Sequence, residues 1–126
     1  MDDLHRYVAY AIPAGFALIA LWALASLVLN RPPPGAFWHL LALVQVALGL
    51  QVVVGGLLFV SGARPASQGP TWLHYVYGGL FPVALLIAGH RFARRYPEVP
   101  YLVFGAVALV CFGLTFRALQ TGLGID

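Results

Sequence analysis

The four histidines offer this chain its richest chemistry, and two of them share a context. Leu-His-Arg-Tyr-Val-Ala-Tyr-Ala-Ile-Pro runs from Leu4 to Pro13. Leu-His-Tyr-Val-Tyr-Gly-Gly-Leu-Phe-Pro runs from Leu73 to Pro82. Each stretch opens on Leu-His, carries a small residue four places after the histidine (Ala9, Gly78) and a proline eight places after it (Pro13, Pro82). Two imidazoles that face each other across a helical bundle at one depth can clasp a flat metal macrocycle, which is the arrangement bis-histidine haem ligation needs. The ring edge must slide between helices, so the residue one turn below each ligand has to be small. Ala9 and Gly78 fill those places, and Gly79 adds room. His5 and His74 are thus the candidate iron ligands of one haem. The plainer reading of an interfacial histidine is a half-polar ring resting at headgroup level.

Other polar residues sort around that pair. A haem carries two propionates, and Arg6, Arg64 and Arg117 all fall at the same end of the proposed bundle. Guanidinium groups suit carboxylates in bidentate geometry; snorkelling to lipid phosphates is the alternative for each. His39 and His90 fall at the other end. His74 and His90 are sixteen residues apart, which at ~100° per residue turns the second ring about 160° from the first. This spacing sends His90 towards lipid or a neighbouring subunit and argues against a second haem at His39 and His90. Gln45 and Gln51 lie at membrane depth and need partners, either backbone or tyrosine hydroxyls, or the rim of a quinone or haem pocket. Tyr7, Trp38, Trp72, Tyr75 and Tyr101 read as an interfacial belt, and Cys111 as a small buried apolar residue.

These side chains must be positioned by membrane helices. Of 126 residues, 61% are hydrophobic and 9% charged, with a mean hydropathy of +0.86, too little charge for a water-facing surface. Four apolar runs stand out, at residues 7–29, 37–60, 71–89 and 101–118, each long enough to cross a bilayer as a helix. Asn-Arg-Pro-Pro-Pro-Gly (30–35), the polar stretch 61–70 and the basic stretch 90–100 separate them. Short connections favour antiparallel neighbours, so the expected fold is all-α: one integral-membrane domain over residues 1–126, an up-down four-helix transmembrane bundle. The matching stretches at His5 and His74 suggest an internal two-helix repeat. Arg31, Arg91, Arg94 and Arg95 lie at one end and three arginines at the other. The compact basic cluster places its own end in the cytoplasm and both termini outside a bacterial or archaeal plasma (inner) membrane. The Met-Asp-Asp start is acidic where a signal peptide needs positive charge, so no signal is expected. The arginines, for all the pI near 9.4, read as topology and headgroup contacts rather than as a nucleic-acid surface.

Asp2-Asp-Leu-His5-Arg6 resembles the Glu-x-x-His-Arg motif of the haem A synthase family, with Asp2 where that family has glutamate. The glutamine- and glycine-rich run from Leu43 to Gly56, then Ser61-Gly62, then Leu73-His74, is similar to the family helix that leads into its other ligand helix. The stretch from Leu114 through Arg117 to Thr121-Gly122-Leu-Gly124 resembles the arginine and Thr-Gly segment closing the family's first helix. The helix order is shifted by one, and the chain corresponds to one of the family's two four-helix halves. The resemblance implies a bis-histidine haem b site on the outer side at His5 and His74, with Asp2 as the candidate catalytic carboxylate if the chain is an enzyme. Unlike the full-size family, the chain has one outer site and a single cysteine. Three functions follow as expectations: electron transfer through haem b with a quinol or a respiratory-chain protein; a half-size haem-modifying enzyme that completes a second site as a homo-oligomer; and a haem-free accessory subunit of a membrane complex.

Overall fold

A computed structural model of the chain describes residues 2–64 and 72–124, with only the backbone given for Asp2. Its described residues form four long helices and no strand: α1 (Asp2–Leu29), α2 (Gly35–Val60), α3 (Trp72–Arg95) and α4 (Pro100–Gly122). All four are long and apolar enough to cross a membrane, and the chain is an all-α, multi-pass membrane protein. Helices close their own backbone hydrogen bonds, which hydrocarbon demands of any spanning segment.

The helices overrun the apolar runs at several ends. The basic stretch 90–100, expected as a loop, is helical through Arg95, and only residues 96–99 turn. Arginine is a good helix former, and cations in a last turn favour the carbonyl end of the helix dipole. The other described ends follow local chemistry. Asn30 takes a left-handed φ of 54°, and the Arg31 N–H reaches back to the Ser26 carbonyl at 3.0 Å. Gly62, at φ 98°, closes α2 the same way, with the Ala63 N–H on the Leu58 carbonyl at 2.9 Å.

Inside α3, residues Val76–Leu80 widen into a π turn, and the Phe81 N–H reaches the Val76 carbonyl. Pro82 has no N–H to offer the Gly78 carbonyl, so the ordinary ladder is already broken there. Pro13 is likewise enclosed in an uninterrupted helix, α1.

α1 packs on α2 and α4, and α4 packs on α3. α2 and α3 approach each other mainly at the π turn, through the edge-on rings of Phe59 and Tyr75 at 5.5 Å and through the hydrogen bond from His90 Nε2–H to Gln45 Oε1 at 2.7 Å. The ring of helices is therefore closed on three sides and split along the fourth. Its core fills the half that holds the α1–α2 and α3–α4 turns, where Phe16, Ile19, Phe37 and Cys111 are fully buried. Trp38, expected in the belt, turns inward and meets Phe37 and Phe104 edge-on at 5.0 and 5.9 Å. Tyr7 and Trp72 do sit exposed at their helix ends. Backbones approach closely at Gly105, where a Cβ would stand 2.5 Å from the Ala23 Cβ.

Candidate functional site

In the other half of the bundle the core gives way to a cavity of about 1010 Å³, lined by all four helices. Its lining explains why the sequence leaves it open: Ala9 on α1, Gly55 and Gly56 on α2, Gly78 and Gly79 on α3, and Ala118 and Gly122 on α4 all present little or no side chain. His5 and His74 stand at its rim, in the first turns of α1 and α3. Because these helices sit diagonally, the two imidazoles face each other across the opening. Their ring centres are 6.2 Å apart and their planes are inclined at 59°.

His74 is held from α4. Its Nδ1 lies 2.9 Å from the Ala118 carbonyl and 3.2 Å from the Thr121 hydroxyl oxygen. A carbonyl only accepts, so Nδ1 carries the proton and Nε2 keeps its lone pair. The Thr121 hydroxyl in turn donates to the same Ala118 carbonyl at 2.9 Å. Gly122 lies against the ring, where a Cβ would come 3.0 Å from Cε1, and Tyr75 meets the ring edge-on at 5.6 Å. His5 is held from α2: Gln51 Nε2–H donates to the His5 carbonyl at 2.8 Å, and a Cβ on Gly55 would lie 3.5 Å from His5 Cε1. Gln51 thus takes the backbone partner expected of a buried amide.

Among the other expected site residues, Arg6 and Arg64 line the rim. Arg64 folds back on the end of α2, giving hydrogen bonds to the Phe59 and Ala63 carbonyls at 2.9 and 2.8 Å and lying 3.9 Å above the Phe59 ring. Arg117 is half-buried outside the cavity lining and meets Gln120 Oε1 at 3.4 Å. The Asp2 side chain lies outside the described residues. His39 is exposed at the start of α2. His90, expected to face lipid or a neighbouring subunit, instead turns towards α2 and α4, bonded to Gln45 and 4.9 Å from the Phe104 ring. The π turn is the reason. It inserts one residue into the helical count, so the angle between His74 and His90 shrinks from about 160° to about 60°.

No protein-family model and no solved structure matches the chain. It is similar to the Na(+)/H(+) antiporter NhaA 1 of Pelobacter propionicus, at 31% identity over 126 residues. The match takes in 99% of this chain but 31% of the antiporter, so the chain spans about a third of the length of that relative.

Three contributors escaped the sequence reading of this site. Ala118 and Thr121 position His74, and Tyr75 packs on it instead of resting in the belt. Thr121 left one signal: a hydroxyl in the last turn of the fourth span stands level with a histidine in the first turn of the third.

Proposed function

We propose that the chain is a membrane haem b protein in which His5 and His74 hold the iron from either side, and that it transfers electrons with a quinol or a respiratory-chain protein. The observation that carries this reading is the 6.2 Å between two ring centres at the mouth of a small-residue cavity. Two metal–imidazole bonds of about 2.0–2.1 Å, set in line, put ring centres about 6.3 Å apart. The glycines supply the second fit, since side chains at Gly55, Gly78, Gly79 and Gly122 would fill the space a ring edge needs.

When bound, a haem would supply one-electron chemistry, with His5 and His74 as the residues that would hold it. The chain's own residues do the rest. The Ala118 carbonyl fixes the His74 tautomer and ring direction, leaving Nε2 for the metal. Gln51 ties the His5 backbone to α2. Arg6 and Arg64 place two cations at the rim, where propionates would lie. The apolar walls below the two histidines would shield a bound ring from water.

Depth favours one second reading. The cavity runs down α3 to Ile87, about 20 Å beyond His74 at 1.5 Å per residue. A haem bearing a long apolar substituent would use that depth, as a half-size haem A synthase-like enzyme requires. The antiporter likeness supports neither haem reading. Exchange of Na⁺ for H⁺ calls for a carboxylate within the membrane, and the four acids of this chain, Asp2, Asp3, Glu98 and Asp126, all lie at span ends or beyond.

A reduced-minus-oxidised spectrum of the purified protein, run beside His5→Ala and His74→Ala, tests the proposal. The wild type should show a low-spin α-band, and each variant a high-spin spectrum or an empty site. Unchanged spectra in both variants refute the ligand assignment, and a wild type reconstituted with haem but lacking the band leaves the accessory-subunit reading. Mass analysis of haem extracted after co-expression with a haem O source separates carrier from enzyme.

A further inference from the structure

A second cavity, of about 430 Å³, lies on the outer face of α3 and is lined by Ala84, Ile87, Ala88, Arg91, Phe92 and Arg95. Ala84, Ala88, Arg91 and Arg95 follow one another at steps of four, three and four residues, which is a single helix face. The two alanines hollow out a trough, and the two guanidiniums stand at its end. Ala84 and Ile87 also line the large cavity. The trough therefore runs from the lower part of the split between α2 and α3 to the membrane boundary.

Charge decides what belongs there. Arg31, Arg91, Arg94 and Arg95 lie at this end of the bundle, and Glu98 is the one acid the sequence places with them. Arg91 and Arg95 are both exposed, and no acid lines the trough. Counter-charge has to come from outside the protein. A soluble anion would satisfy the guanidiniums yet leave the apolar trough to whatever hydrocarbon lay beside it. An anionic phospholipid satisfies both parts at once.

We infer that this face of α3 is a binding site for an anionic phospholipid, its phosphate on Arg91 and Arg95 and one acyl chain along Ala88 and Ala84. Planar guanidiniums suit a phosphate in bidentate geometry. In this position the acyl chain covers the lower part of the split that opens the large cavity to the bilayer. The site stands independently of whether the large cavity holds a haem.

The test uses the full chain in phosphatidylcholine vesicles, with trace spin-labelled phosphatidylglycerol or phosphatidylcholine, and reads the motionally restricted fraction of each label. Two surface arginines predict up to a roughly thirtyfold preference for phosphatidylglycerol at low salt. Arg91→Gln with Arg95→Gln should bring that preference to about twofold or less. Arg31→Gln with Arg94→Gln removes the same charge from the same end but off the trough, and should keep most of it. Ala84→Leu keeps both guanidiniums and should lower the restricted fraction of phosphatidylglycerol by filling the trough. Equal losses in the two arginine pairs, an unaffected Ala84→Leu, or displacement of the label by millimolar inorganic phosphate would each overturn the inference.

Discussion

Gly122→Ala is the sharpest perturbation of the proposed haem site, because it changes one methyl group and touches one ring. The new Cβ would lie 3.0 Å from His74 Cε1 and 3.5 Å from Nδ1. The imidazole has to give by a few tenths of an ångström. It cannot do so freely, since Nδ1 is tied at 2.9 Å to the Ala118 carbonyl one turn away on the same helix as the intruding methyl. Stretching that hydrogen bond costs up to about 1 kcal/mol. Replacing a helical glycine by alanine returns roughly 0.5–1 kcal/mol in a helix interior and less at a terminus. Gly122 is the last residue of α4, so stability should change by less than about 1 kcal/mol. Ligand direction should suffer more: misplacing the partner of a ligating histidine typically costs about 10–100-fold in metal affinity. The control is Gly113→Ala on the same helix, where a Cβ meets nothing within 4 Å. The assay is haem titration of the apoprotein in detergent, followed by Soret absorbance, with unfolding followed by circular dichroism. Gly122→Ala should bind haem about 10–100-fold more weakly with a near-normal unfolding curve, and Gly113→Ala should bind normally. Wild-type affinity and band position in Gly122→Ala would mean that α4 does not hold the ring, and the reasoning from the Ala118 hydrogen bond would fail.

Two further outcomes test the frame around the site. Gln51→Leu removes the hydrogen bond to the His5 carbonyl at similar side-chain size and should cost about 1 kcal/mol of stability, measured by denaturant unfolding in mixed micelles; no loss would mean α1 and α2 are not tied there. Gly105→Ala places a methyl 2.5 Å from the Ala23 Cβ and should destabilise the packed half by about 1–3 kcal/mol, and Ala23→Gly in the same chain should recover most of it. A double variant no better than the single one would place the strain elsewhere.

The part of the site that could be read from the sequence is the part in which a polar residue breaks an apolar chain. His5 and His74 declare themselves because each sits at a span boundary, and because their small-residue and proline companions recur at the same spacing. Helix direction then puts both at one depth, and the diagonal placement of α1 and α3 in an up-down bundle brings the rings to 6.2 Å. The supporting residues were not legible in the same way. Ala118 contributes only a carbonyl, which any residue owns. That Thr121 reaches His74 across 47 positions depends on α4 being the neighbour of α3 and on its rotation there. Arg117 shows the limit from the other side. Its depth is right for a rim cation, yet it lies off the cavity face and meets Gln120 along its own helix.

The largest departure traces to one local feature, the π turn at Val76–Leu80. Counting ~100° per residue from His74 to His90 assumes an unbroken α-helix, and Pro82 makes that assumption unsafe four residues after Gly78. Without the extra residue, a His74 facing the cavity would leave His90 pointing to lipid, and Gln45 would lose its 2.7 Å partner. With it, one helix presents a ring to the open half of the bundle and a second ring to α2 in the packed half. The Gly78-Gly79 pair makes this geometry tolerable, since a Cβ on Gly78 would already stand 3.1 Å from Ala118. The same short segment thus widens the helix, clears space below His74 and keeps α2 joined to α3 at the far end. The split between α2 and α3 is thus bridged at the His90 end by a polar bond and near His74 by the π turn and the edge-on contact of Phe59 with Tyr75, and it lies between these two joints.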